Sequence, residues 1–271
     1  MKSAVFALVS IAGLAVAGGA SATELMPDFS NVPTGWSTDR YDPDSFTNVG
    51  TFQGRDNVLG IGIGPNGSVT NRGGAYSSGF YDTQGKGHPV NGAGAGDTIS
   101  ADLFVPREWD NAANGAARTD MWGTMSNTGG VIDYYPIIGF TNMGDGGFVG
   151  FRVWDSNLDG GGGAWVDLTS AKYNLEGWNA LSIQFTGTDF LFFLNGDQVY
   201  DMTNLQGTDL YMSGVIMQAY NFDDATNWPD TVVTPYVAHW SNAQPAPEPA
   251  TLALLGTGLA GLFAARRRRK A

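Results

Sequence analysis

The sequence predicts an all-β protein, a two-sheet antiparallel β-sandwich, on three observations. Between residues 23 and 244 no stretch sustains the 3.6-residue apolar period of an amphipathic helix. Short apolar runs alternate with a period of two, most cleanly at Leu181, Ile183 and Phe185 around Ser182 and Gln184. The chain holds 39 glycines and is 12% aromatic but only 15% charged, a composition of turns and a packed interior rather than of disorder.

Asn31 to Asp44, with Trp36 and Tyr41, suits an opening strand or edge segment. In Asn57 to Gly64, Leu59, Ile61 and Ile63 alternate with Gly60, Gly62 and Gly64, giving one apolar strand face and one bare face that admits close packing. Gly73 to Pro89 sets Phe80 and Tyr81 among turn residues. Thr98 to Val105 puts Ile99, Ala101, Leu103 and Val105 on one face and ends at Pro106. Beyond the polar loop Asn111 to Arg118, strands are expected at Asp120 to Met125, Val131 to Thr141 (broken at Pro136), Phe148 to Trp154 and Ala164 to Leu168. Trp178 opens the best-defined unit and is expected in the core. In that unit Phe190 to Leu194 and Gln198 to Tyr200 flank Asn195-Gly196, a pair that accepts positive φ and so specifies a tight hairpin. Tyr211 to Tyr220 adds a strand, and Tyr236 to Trp240 is placed to return beside the N-terminal part. The count is about a dozen strands.

The hairpin, with its aromatic strand, Asn195-Gly196 turn and following Val199-Tyr200, resembles the concanavalin-like jelly roll of LamG modules, lectins and related glucanases. That resemblance implies a jelly-roll sandwich and leaves binder, enzyme and spacer all open.

The ends read differently. Lys2, an apolar run from Ala4 to Ala17 and the small residues Ala20 and Ala22 around Ser21 form a secretory signal peptide over residues 1–22, with the mature chain beginning near Thr23. Residues 245–271 carry a proline linker (Pro245, Pro247, Pro249), an apolar run from Ala250 to Ala265, and Arg266 to Arg269 with Lys270. This order, with Pro247-Glu248-Pro249, resembles the PEP-CTERM sorting signal. The apolar run is shorter than the ~20 residues of a standing anchor, as suits a transient sorting helix. The resemblance implies a Gram-negative bacterium, export through the inner membrane, processing by an exosortase, a periplasmic, cell-surface or matrix destination, and an association with exopolysaccharide and biofilm. The sandwich domain is then 23–244.

The absence of cysteine means the exported domain relies on its core rather than on disulfides. Six of the 14 basic residues lie in the two terminal segments, leaving eight against the 26 acidic ones, all of which fall between Thr23 and Pro249, and a net charge of −18 over that stretch. Such a surface argues against nucleic acid as a partner and is compatible with glycans, cations or plain solubility.

Four constellations could carry chemistry. Asp155, Asn157 and Asp159, followed by Gly160, match the first half of a calcium loop; Val166 stands where the bidentate Glu should be, so Asp167 is the remaining candidate ligand, and turn geometry is the competing explanation. If central strands share a face, Asp120, Trp122, Tyr135, Arg152, Trp154, Gln218 and Tyr220 could stack on sugar rings and hold their hydroxyls; the competing explanation is that the rings are core. No catalytic residue is assigned. The glucanase pattern Glu-x-Asp-x-(x)-Glu is absent, the nearest carboxylate pair, Glu108 and Asp110, suits a solvated turn, and His88 and His239 are isolated, with no nucleophile elbow. The leading expectation is a non-catalytic surface protein that binds or organises exopolysaccharide. The alternatives are a structural matrix component without a discrete ligand, and a hydrolase or lyase of concanavalin-like fold.

Overall fold

The computed structural model describes residues 23–203 and 210–242. The expected signal peptide with Ala20 and Ala22, and the tail with Pro247, Glu248 and Pro249, lie outside the described residues. Among those described, no helix is long and apolar enough to cross a membrane.

The described residues form sixteen strands in order. The first eight are β1 Thr23–Glu24, β2 Ser37–Thr38, β3 Ser45–Asn48, β4 Leu59–Ile63, β5 Thr83–Pro89, β6 Asp97–Val105, β7 Arg118–Ser126 and β8 Ile132–Tyr134. The rest are β9 Ile137–Thr141, β10 Gly150–Asp155, β11 Ala164–Asp167, β12 Gly177–Phe185, β13 Asp189–Leu194, β14 Asp197–Thr203, β15 Tyr211–Tyr220 and β16 Tyr236–Asn242. The first sheet runs β14-β13-β12-β6-β16-β4-β3, with β1 added in parallel to β6; the second runs β11-β10-β9-β7-β15-β5-β2, with β8 on β7. The chain crosses between sheets from β1 to β2, β2 to β3, β4 to β5, β5 to β6, β6 to β7, β11 to β12, β14 to β15 and β15 to β16, the traffic of a jelly-roll sandwich.

Period-two patterning sets the core. Ile99, Ala101, Leu103 and Val105 of β6 are wholly buried against Met121, Phe140, Phe151 and Met217 of the second sheet, with Phe185, Phe190, Phe192 and Trp240 filling between. Each such large side chain contributes about 1.5–3 kcal/mol, so a handful exceeds the ~2–4 kcal/mol of a typical disulfide. The buried Trp240 indole N–H is satisfied, donating to Thr119 Oγ1 at 2.9 Å. Asn195 (φ 54°) and Gly196 (φ 88°) make the expected hairpin turn between β13 and β14. The glycine face of β4 is a packing face: a Cβ on Gly60 would stand 2.7 Å from Val49, and one on Gly64 2.6 Å from the Asp44 carboxylate.

Two expectations need correction and a third is met only in part. Asn31 to Asp44 supplies the edge of the second sheet but is mostly irregular, with only the two-residue β2, because Pro33, Gly35 and Pro43 interrupt pairing while Trp36 buries itself against Phe29 and Phe46. Trp178 is not core. It pairs with Phe104, so it lies on the outer face of the first sheet, half-buried, with the Arg55 guanidinium 4.8 Å above its ring. The strand count exceeds a dozen because β1, β2, β3 and β8 are two to four residues long, too short to show a period.

Candidate functional site

In an antiparallel pair, directly opposed residues project from the same face with Cβ atoms about 4.5–5.5 Å apart. The registers of the second sheet therefore build straight rows across its outer face, away from the core. One row is Gly87–Ile216–Trp122–Ile137–Trp154–Trp165. Two residues along each strand, the next is Gly85–Gln218–Asp120–Gly139–Arg152–Asp167. Beside that, on the flank away from the first row, runs Thr83–Tyr220–Arg118–Thr141–Gly150. The first row is aromatic and aliphatic, the second polar.

Six of the seven residues singled out from the sequence stand in these rows, and Tyr135, from the β8–β9 link, sets its ring edge-on to Trp122 at 5.8 Å. None belongs to the inter-sheet core. Asp120 lies flat over Gly139, where any Cβ would collide with its Oδ1, and its Oδ2 accepts from Arg118 Nε at 2.8 Å. The Arg118 guanidinium sits 4.7 Å from the Trp165 ring and 5.0 Å from Tyr220; that of Arg152 sits 4.0 Å from Trp165. Arg40 bridges Phe80 and Trp122 at 4.4 and 5.1 Å, roofing that end of the rows. The Tyr220 hydroxyl donates to Asp82 and accepts from Trp228 Nε1 at 3.2 Å, and Asp82 is held by the buried Arg72 at 2.6 Å.

What distinguishes this face is unmet hydrogen-bonding capacity. Gln218, Asp120, Trp122 and Arg152 are 0, 1, 6 and 7% exposed. Yet Gln218 Oε1 and Nε2, Asp120 Oδ1, Trp122 Nε1 and Arg152 Nε have no partner among the described residues. These are five of nine such buried atoms, gathered on one face. Buried polar atoms are almost always paired, and leaving one unpaired costs about 1–3 kcal/mol. The five comprise donors and acceptors, the complement of a hydroxyl-rich or carboxylate-bearing ligand. Burial, then the neighbouring Arg118, lowers Arg152 to about 10. Asp167 is raised by burial against the pull of Arg152, and Tyr220 is raised chiefly by burial.

A cavity of about 400 Å³ beside the first sheet, lined by Phe52, Phe104, Glu108, Tyr236 and His239 among others, has no such unpartnered buried atom in its lining. Its Glu108, and Asp110 two residues on, are exposed on a short turn. The histidines stand on different sheets: His88 Nδ1 meets the Pro89 carbonyl at 2.7 Å, while His239 stacks on Phe52 at 3.8 Å, where burial lowers its pKa.

The candidate calcium ligands are not brought together. Asp155 points between the sheets, accepting from the Tyr200 hydroxyl and the Asn157 amide N–H, both at 2.8 Å. Asn157 donates to the Thr203 carbonyl at 2.6 Å, so the pair ties the edge of the second sheet to β14 of the first. Asp159 is exposed at φ 50°, and Asp167, paired with Arg152, stands on the opposite face from Asp155. Among the described residues no three His, Cys, Asp or Glu side chains cluster in a metal-binding arrangement.

Sequence reasoning missed Arg118, Trp165 and Arg40. Extending the period of two back from Asp120 would have found Arg118, and the β10–β11 hairpin would have set Trp165 opposite Trp154. Arg40, from irregular chain, left no signal.

Residues 245–269 match the family described as the PEP-CTERM protein-sorting motif. No curated protein matches the chain. Among solved structures it is similar to a glycosidic hydrolase at 13% identity and a TM-score of 0.43, covering 82% of this chain and 95% of that one. It is similar to an alginate lyase at 12% identity and 0.46, covering 80% and 90%. An endo-β-1,4-glucuronan lyase from the fungus Trichoderma reesei matches at 12% and 0.44, covering 78% and 90%. The chain is an all-β, two-sheet antiparallel sandwich that ends in a PEP-CTERM sorting motif, which implies a secreted, membrane-anchored precursor.

Proposed function

We propose that this exported protein binds a glycan strand on the outer face of its second sheet and does not cleave it. The carrying observation is the set of five buried, unpartnered polar atoms on Gln218, Asp120, Trp122 and Arg152, set beside a row of aromatic rings. Aromatic faces take the C–H face of a sugar while amide, carboxylate and guanidinium take its oxygens. Opening the roof of Arg40, Phe80 and Tyr135, of which Phe80 is 55% and Tyr135 38% exposed, would admit the strand. After export an exosortase would process the tail near Pro247-Glu248-Pro249, leaving the domain among surface or matrix polysaccharide.

The test is calorimetric titration of the full chain, in mild detergent, with the host's exopolysaccharide, before and after chelation. Saturable heat indifferent to chelator is the expected result. Absence of heat would favour a purely structural matrix role. New reducing ends or ultraviolet-absorbing unsaturated products would make the protein an enzyme and overturn the non-catalytic part.

A further inference from the structure

Resting on the glycan reading, we infer that the ligand of this face is an acidic glycan whose carboxylate is the counter-charge of Arg152. Eight basic residues serve the domain between the terminal segments, and three of them, Arg40, Arg118 and Arg152, stand on this one face. Two have carboxylate partners: Arg118 holds Asp120, and Arg40 lies 3.6 Å from Asp39. Arg152 has none. It is 7% exposed and forms neither ion pair nor hydrogen bond among the described residues; its Nε is sealed and empty-handed. Its cross-strand neighbour Asp167 does not come within ion-pair distance, and Asp120 is turned to Arg118. Stacking on Trp165 fixes the guanidinium plane without neutralising it. A buried guanidinium without a partner is strongly unfavourable, and its planar fork fits a carboxylate edge.

The rest of the row suits the same ligand. From Gln218 to Arg152 are three strand spacings, roughly 14 Å, so one strand of sugar could set a carboxylate at Arg152 while its hydroxyls meet Asp120 Oδ1 and the Gln218 amide. A neutral glycan would satisfy the second group and leave Arg152 as bare as before.

Three probes decide it, each titrated into the full chain in mild detergent: polygalacturonate, the same polymer with its carboxyls reduced, and dextran sulfate. Polygalacturonate should bind at least tenfold more tightly than its reduced form. Arg152→Gln should abolish that preference; Arg152→Lys, which keeps the charge, should retain part of it. Thermal midpoints of both variants report folding, and the wild-type comparison of acidic with reduced polymer stands even if Arg152→Gln fails to fold. Equal binding of acidic and reduced polymer overturns the inference but leaves the glycan reading intact. Preference for dextran sulfate over polygalacturonate overturns the carboxylate assignment. Binding of none of the three sinks the glycan reading and this inference with it.

Discussion

Gln218 is where stability and binding pull in opposite directions most measurably. Its side chain is wholly buried with both amide atoms unpartnered among the described residues, while its backbone carbonyl is already engaged by Thr119 Oγ1 at 2.7 Å. Gln218→Met keeps the length, creates little cavity and leaves that backbone bond untouched. Removing an unsatisfied buried amide should recover the desolvation cost it carries, about 1–3 kcal/mol. At about 2–4 °C per kcal/mol for a domain of this size, the thermal midpoint should rise by several degrees. The same change deletes a donor and an acceptor to the ligand. At about 0.5–1.5 kcal/mol each, affinity should fall roughly 5- to 150-fold. Calorimetry of unfolding and of polysaccharide binding reads both. A variant less stable by more than ~1 kcal/mol with unchanged binding would show that the amide anchors structure, and the reasoning from unmet hydrogen bonds would fail.

Gly139→Ala should destabilise by about 1–3 kcal/mol or more and weaken binding, because its Cβ collides with Asp120 Oδ1 and the Thr119 carbonyl; unchanged urea midpoints would refute the contact. Arg72→Met strands the wholly buried Asp82 and should cost about 3–5 kcal/mol in urea unfolding, with Asp82→Asn recovering part; an additive double variant would show the pair is not coupled. Tyr200 is pushed up to about 12, first by burial and then by its bond to Asp155, from an ordinary value of 10. Between pH 10 and 12 the folded chain keeps a proton that the unfolded chain has released, so stability declines as pH rises through that window. Tyr200→Phe should flatten that alkaline decline of the urea midpoint, and an identical decline in the variant would remove Tyr200 from the account.

The sandwich was legible because its long strands alternate over much of their length: β12 from Asn179 to Phe185 and β6 from Asp97 to Ala101, although the second half of β6 is buried on both faces and β15 shifts register between Met212 and Gly214. The placement of the candidate site's residues was legible for the same reason. Once a strand has an inner face, parity sends Asp120 and Trp122, Arg152 and Trp154, Gln218 and Tyr220 to the outer one, and sheet order does the rest. What parity cannot supply is the other chain segment. Arg40 arrives from irregular chain, and Asp155 looked like a metal ligand because its local pattern is a turn pattern; only the contact with Tyr200, 45 residues on, shows it tying the sheets together. Trp178 misled in a related way: a strand-opening tryptophan has no inner side by necessity, and register with Phe104 turned it outward.

The charge distribution makes a final demand on kinetics. An acidic polymer approaching a domain that carries 25 acidic against eight basic residues, a net charge of −17, is repelled at long range, whereas its contact with Arg152 is short-ranged and buried. Salt screens exposed charges beyond a Debye length of about 8 Å at physiological ionic strength but weakens a buried pair much less. The association rate of polygalacturonate should therefore rise as salt is raised from low to physiological levels, while the dissociation rate changes little. A site drawing its affinity from an exposed basic patch would behave oppositely, with association slowing as salt increases. Surface-plasmon measurements of both rates at two ionic strengths separate the cases. Slower association at higher salt would place the attraction on the surface and take it away from the buried guanidinium.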